Sequence, residues 1–258
     1  DARRHGVEVR SADVVLSPWD CLLEDAAVRL GLRMVSGLPE AAAKRIVQTR
    51  PHASVADLAQ RARLNRKELK CLAAAGALQG LAGHRRAARW AAAGVEKNPP
   101  MAVQAEDGIP ELPLPSEGEE IAADYASLGL TLGRHPLALL REALSSRNFI
   151  DSKKLQSTPH GRRVRTAGLV TCRQRPDTAS GVVFVTLEDE SGCVNVVVWR
   201  DLVERQRKAL LGARLLGVEG VIERDGAVVH LVARRLEDRS ALLERCFGGL
   251  QAASRDFH

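Results

Sequence analysis

Between residues 164 and 235 apolar and polar side chains alternate in five short runs, and a period of two restricts such runs to half-buried β-strands. The runs cover 164–170, 181–189, 193–199, 213–223 and 227–235. Turn residues separate them. Glu190-Ser191-Gly192 folds the second run onto the third, and Arg224-Asp225-Gly226 folds the fourth onto the fifth. Residues 201–210 read as a helix lying before the fourth strand.

Five strands with one helix before the fourth is the order of an OB-fold barrel, which commonly binds single-stranded nucleic acid across its second and third strands. In the second strand the alternation sets Val183, Val185 and Leu187 on one face and Val182, Phe184 and Thr186 on the other. If the aliphatic set fills the barrel, Phe184 points outward and can stack a base. The third strand likewise sets Asn195, Val197 and Trp199 opposite Val194, Val196 and Val198, although Trp199 ends its strand and can instead cap the barrel. Arg163, Arg165, Arg173 and Arg175 are predicted to lie on the same side and contact the phosphate backbone without reading sequence.

The rest of the chain is helical in pattern. The spacing predicts helices over 22–35, 40–49, 54–63, 65–75 and 83–93, with Ser54 as an N-cap and Gly76 as a stop. Segment 98–120 holds five prolines and no Lys or Arg, so it reads as an acidic linker. The expected fold class is therefore α+β and multidomain. It comprises an all-α helix-hairpin-helix domain over 1–97, the linker over 98–120, a helical connector over 121–160, the OB-fold over 161–239 and a tail over 240–258.

Composition narrows the partner. The net charge is +6 and the sequence pI is about 9.4, which favours a polyanion. Segment 1–97 carries 17 Lys and Arg against 10 Asp and Glu, so the basic excess sits mainly in the first domain. With 45% hydrophobic residues the chain can build cores, but with 3% aromatics they must come from Leu, Val and Ala. No apolar run is long enough to span a bilayer and no signal-peptide core opens the chain, so a cytoplasmic location is expected. The five cysteines are far apart, without a CxxC pair, and are expected to be reduced; no metal site is expected either.

Within the first domain, Ser36-Gly37-Leu38-Pro39 interrupts two helices and resembles the turn of a helix-hairpin-helix element. Backbone N–H groups at the second helix's start can face a duplex phosphate there. Gly37 supplies the turn, while Lys44 and Arg45 can supply the charge that Pro39, lacking an N–H, does not. A purely structural αα-turn fits the same residues. Arg66, Lys67 and Lys70 on the helix over 65–75, with Arg85, Arg86 and Arg89 on the last helix and Arg85 and Arg89 four apart on one face, form the best candidate patch for a DNA backbone. Catalytic signatures are absent: no GxxxxGK, GxSxG or HExxH occurs. Glu188-Asp189-Glu190 is read as a solvated turn.

The sequence as a whole resembles the C-terminal third of bacterial C-family DNA polymerases. Leu128-Gly-Leu-Thr-Leu-Gly-Arg-His-Pro136 and the domain order carry that likeness. Trp19-Asp20, Arg29-Leu-Gly-Leu-Arg33, Gly168-Leu-Val170, Arg173-Gln-Arg175, Val198-Trp199 and Ser254-Arg-Asp-Phe-His258 look like the error-prone, ImuC-type branch. The abrupt start at Asp1 agrees with a fragment. The resemblance implies that the palm aspartates and their magnesium belong to a parent protein, so no catalytic residue, metal or cofactor is expected here. It further implies damage-induced translesion synthesis with ImuB-like and ImuA-like partners. Glu111-Leu-Pro-Leu-Pro115 lacks the glutamine and aromatic of a sliding-clamp peptide, so clamp contact is expected through ImuB. DNA is expected single-stranded at the barrel and duplex at the helical hairpin. The alternatives are a protein-docking module with little DNA affinity and, more remotely, the anticodon-binding barrel of a synthetase-like protein.

Overall fold

The computed structural model describes residues 6–95, 113–176, 181–226 and 228–247, together with the backbone of Arg255 and Asp256. The chain forms two units, Asp1–Leu132 and Gly133–His258.

The first unit begins with three strands, the second and third of them where the spacing predicts helix. β1 (Glu8–Arg10), β2 (Leu22–Glu24) and β3 (Ala27–Arg29) form a sheet in the order β1-β3-β2, parallel between β1 and β3 and antiparallel between β2 and β3. The spacing of Leu22, Leu23, Ala26, Ala27 and Leu30 fits a helical face, but charge settles the conformation. Asp25 turns the chain at φ +52°, and Glu24 bridges Arg10 at 3.0 Å and Arg29 at 2.5 Å across the sheet. A 3-10 turn at Leu32–Met34 then leads into Gly37.

Five further helices follow, all at expected starts except the short α4: α1 (Glu40–Gln48), α2 (Val55–Arg61), α3 (Arg66–Ala74), α4 (Gln79–Ala82) and α5 (Arg85–Gly94). Ser54 caps α2 by accepting the Asp57 N–H at 3.1 Å, and Asn65 with Glu68 forms a reciprocal capping box on α3. Leu32, Ile46, Leu58, Leu72 and Leu78 fill the core completely buried. A sixth helix, α6 (Glu117–Leu128), starts inside the segment expected to be linker. Ser116 and Glu119 cap each other's backbone N–H groups, and that box outweighs the proline-rich composition just before it. Residues 98–112 of that segment, with Pro99, Pro100, Pro110 and the first two residues of the clamp-peptide region, lie outside the described residues. So do Asp1 and most of the final pentapeptide.

In the second unit α7 (Pro136–Ser145) and α8 (Ser152–Gln156) precede the barrel strands β4 (Arg163–Gln174), β5 (Val183–Asp189) and β6 (Gly192–Val198). The expected connector is thus divided, α6 belonging to the first unit and α7 and α8 to the second. Next come α9 (Arg200–Arg205), α10 (Arg207–Gly212), β7 (Leu215–Asp225), β8 (Val228–Asp238), α11 (Ser240–Phe247) and β9 (Arg255–Asp256). β4 pairs with both β5 and β7, β5 with β6, β7 with β8, and β6 runs parallel to β8, which closes the five-stranded OB barrel. Val183, Val185, Leu187, Val194, Val196 and Val198 all face its core, as their alternation requires. The single helix expected over 201–210 is broken at Gln206, whose φ of −121° leaves the helical region.

Candidate nucleic-acid interface

On the barrel, Phe184 and Trp199 stay at the surface, 36% and 57% exposed. Phe184 sits directly across from Val197 on β6 and from Gln174 on β4. Trp199 lies just past the end of β6, two residues beyond Val197 and still in extended conformation, and alternation sets it on the Phe184 side of the sheet. Asn195 is exposed on the same face, opposite Thr186 on β5 and His230 on β8. Two aromatic faces and hydrogen-bonding side chains on one sheet surface suit stacked bases.

The arginines expected beside that face are placed differently. Arg173 is only 7% exposed, because β4 runs on to Gln174 and carries it inside the strand. Its guanidinium donates to the Leu210 carbonyl at 2.7 Å and the Ala213 carbonyl at 2.5 Å, closing the C-terminal end of α10. Arg165 donates to Glu237 at 3.2 Å and to the Arg147 carbonyl at 2.9 Å, and stacks on Phe149 at 4.4 Å. Arg163 is ion-paired with Glu219. Both lie where β4 pairs with β7, away from β5 and β6. Arg175 remains exposed at the end of the strand.

The turn after β5 is not a solvated one. Asp189 is 2% exposed and accepts from the Ser152 N–H at 2.6 Å and hydroxyl at 2.7 Å, and from the N–H groups of Ser191 and Gly192 at 2.8 and 3.0 Å. Beside it Arg141 holds Glu190 at 2.5 Å. Burial pushes the Glu190 carboxyl up, but the hydrogen bond and charge of Arg141 outweigh it and leave the pKa below the ordinary 4.5. A depressed pKa means that the stabilisation is fully present above pH 4.5 and fades as pH falls through the folded value. The destabilisation caused by Glu190→Gln is therefore expected to be constant from neutrality down to about pH 5 and to shrink below it, as read by urea unfolding at each pH.

In the helical unit, Gly37 takes φ +79°, the left-handed conformation that the turn needs, and a Cβ there would lie 3.2 Å from Cys71 Sγ. The turn is entered from the 3-10 segment and not from a helix. Lys44 is exposed and pairs with Glu40 at 2.8 Å, which raises its pKa. Arg45 is turned inward by tertiary partners, donating to the Ala62 carbonyl at 2.8 Å and to Glu68 at 3.2 Å. Arg85 is 5% exposed, held by Asp124 and by Glu120 at 2.7 Å, because α6 packs over the first turn of α5. It is therefore scaffold, although Arg89 one turn later is exposed.

Arg66 and Arg89 are brought together with Lys70 around a cleft of about 430 Å³ between α3 and α5. Its other lining residues are Ala73, Ala74, Ala92 and Ala93, so a cationic rim stands over a floor of methyl groups. Lys67 is exposed on α3 but does not line the cleft. Lys70 is among the residues expected there, Arg86 is drawn off to Glu119 at 3.1 Å, and the alanines are the addition. Among the described residues no group of three or more His, Cys, Asp or Glu is placed to hold a metal ion, and no helix is long and apolar enough to cross a membrane.

Residues 6–88 match a helix-hairpin-helix motif family, and residues 164–239 match an OB-fold nucleic acid binding domain family. The chain is 55% identical to an error-prone DNA polymerase of Azoarcus sp. (strain BH72) over 279 aligned positions, covering 100% of this chain and 25% of that protein. It is 53% identical to an error-prone DNA polymerase of Pseudomonas aeruginosa, over 100% of this chain and 26% of that one. The chain thus spans about a quarter of the length of the curated relatives it matches. Among solved structures, asparaginyl-tRNA synthetase from Pyrococcus horikoshii is similar at 25% identity over 34% of this chain and 22% of that one, with a TM-score of 0.30.

Proposed function

This chain is similar, over its whole length, to a quarter of an error-prone DNA polymerase, and on that premise we propose that it is such an enzyme's non-catalytic, DNA-binding and partner-docking C-terminal region. The observation that carries this reading is the outward pair of Phe184 and Trp199 on the β5 and β6 face of an OB barrel. Single-stranded template would stack there, and the cationic cleft of Arg66, Lys70 and Arg89 would hold the duplex backbone. Nucleotide transfer and its magnesium would belong to the rest of the polymerase, in damage-induced translesion synthesis. ImuB-like and ImuA-like proteins would be its partners, with the sliding clamp reached through ImuB. The exposed Trp90 on α5 favours the second reading, a docking surface for such a protein.

Phe184→Ala is expected to weaken single-strand binding by about 1–3 kcal/mol while leaving duplex binding and the circular dichroism spectrum unchanged. Joint replacement of Arg66, Lys70 and Arg89 by glutamine is expected to lower the salt dependence of duplex binding and to spare the single strand. Unaltered affinity for both DNA forms in both variants, with capture of an ImuB-like protein lost, would move the function to protein docking.

A further inference from the structure

Beyond its aromatic face the barrel carries a second set of cations, and two structural devices bring them together. The first is a bulge in β8. Glu219 pairs with Arg235 but Gly220 pairs with Ala233, so Arg234 is an extra residue. Leu231, Ala233 and Leu236 point into the core, and the shift leaves Arg234 and Arg235 both exposed where strict alternation would bury Arg235. The crossing is close enough to require glycine, since a Cβ on Gly220 would collide with the Val232 carbonyl.

The second device is a clamp. β6 covers the edge of β8 only from His230 to Val232. Further along, the Gln206 side chain takes over: its Nε2 donates to the Leu236 carbonyl at 3.1 Å and its Oε1 accepts the Leu236 N–H at 2.8 Å. Arg205, Arg207 and Lys208 therefore sit within two residues of one end of the clamp, and Arg234 and Arg235 within two residues of the other. All five are exposed. The nearby acids are already engaged: Glu204 with Arg200, Glu219 with Arg163, and Glu237 with Arg165 and Arg239 and, at 3.5 Å, with Arg235 of the group itself. Among the described residues, Arg207, Lys208 and Arg234 lie in no ion pair.

The parallel register joins this group to the aromatic face. Asn195 is level with His230 and Val197 with Val232, and that register, continued two residues past its last pair, would bring Trp199 toward Arg234. We propose that a single strand stacked on Phe184 and Trp199 continues past Trp199 onto Arg234, Arg235, Arg207 and Lys208, which form a phosphate track along the β8 bulge and the α9–α10 junction. The track rests on the reading of the aromatic face as the base-stacking site, and it gives that site a direction and a length. Phosphodiester is the ligand that fits, because five exposed cations gather at the clamp while Leu211 is the one exposed large apolar side chain on α10, too little apolar surface to anchor a docked peptide.

The test compares oligothymidylates of about 4 and about 12 nucleotides, titrated with the whole chain at several salt concentrations. In a variant with Arg207, Lys208, Arg234 and Arg235 all changed to glutamine, the long oligomer is expected to bind more weakly, its salt slope falling by about 3, while the short one binds as before. Arg234→Lys with Arg235→Lys should keep most of the slope. Equal loss for both lengths would overturn the track, as would no loss for either. So would unchanged binding of the long oligomer with lost binding of a poly-glutamate peptide, which would mark a protein site. If the unaltered chain binds the long oligomer through these cations and Phe184→Ala has no effect, the track stands and the stacking site falls; if it binds neither oligomer, both fall.

Discussion

Asp189→Ala is expected to destabilise the barrel unit by about 3–5 kcal/mol, measured by urea unfolding followed by circular dichroism. The carboxylate lies in the tight turn between β5 and β6 and accepts hydrogen bonds from Ser152, Ser191 and Gly192. Arg141 adds its charge at 3.6 Å. Alanine would orphan three backbone N–H groups and a hydroxyl at a place with little access to water, and would free α8 from the barrel. The amide introduced by Asp189→Asn would keep an acceptor but turn a donor toward one of these partners, so that variant's stability is expected to fall between those of the parent and the alanine variant. A loss below about 1 kcal/mol for Asp189→Ala would show that water replaces the carboxylate and that the turn does not anchor α8.

Arg85→Ala is the second large effect, and it separates scaffold from site. The guanidinium, itself buried, is enclosed by Asp124, the Glu120 carboxylate and the Glu120 carbonyl, so its removal leaves two half-buried acids without a counter-charge. The expected cost is about 3–5 kcal/mol in the helical unit, with no change in the salt slope of duplex binding where the fold persists. Arg89→Gln, one turn along the same helix, is expected to do the reverse: stability within about 0.5 kcal/mol of the parent and a weaker, flatter duplex binding curve. A reduced slope for Arg85→Ala with intact stability would put that side chain on the DNA after all.

The two units differ in how much of them the sequence makes legible. In the barrel a period of two is sufficient, because each strand has one wet face and one dry face; Phe184 and Asn195 follow from Val183, Val185, Val194 and Val196 without any tertiary knowledge. The basic residues are not legible in that way. Arg45, Arg85, Arg165 and Arg173 have the same local surroundings in sequence as Arg66 or Arg89, and what withdraws them from solvent is a carboxylate or a helix-end carbonyl 17 to 72 positions away. The N-terminal hairpin is hidden for a related reason. Leu22, Leu23 and Leu30 satisfy a helical spacing, while the Glu24 bridge between Arg10 and Arg29 exists only once the strands have paired. Gly220 and the extra Arg234 show a third case, a bulge whose cause is a close backbone crossing between strands.

The most direct measurement of whether this chain is a two-site nucleic-acid module is a fluorescence titration of labelled single-stranded and duplex DNA with the unaltered chain between about 50 and about 200 mM salt. Both forms are expected to bind, each with an affinity that falls linearly on a logarithmic salt scale, and an excess of unlabelled single strand is expected to displace labelled single strand far better than labelled duplex. Failure of both DNA forms to bind at the lowest salt would contradict the proposed function outright. Complete mutual displacement would leave one binding surface where two are proposed.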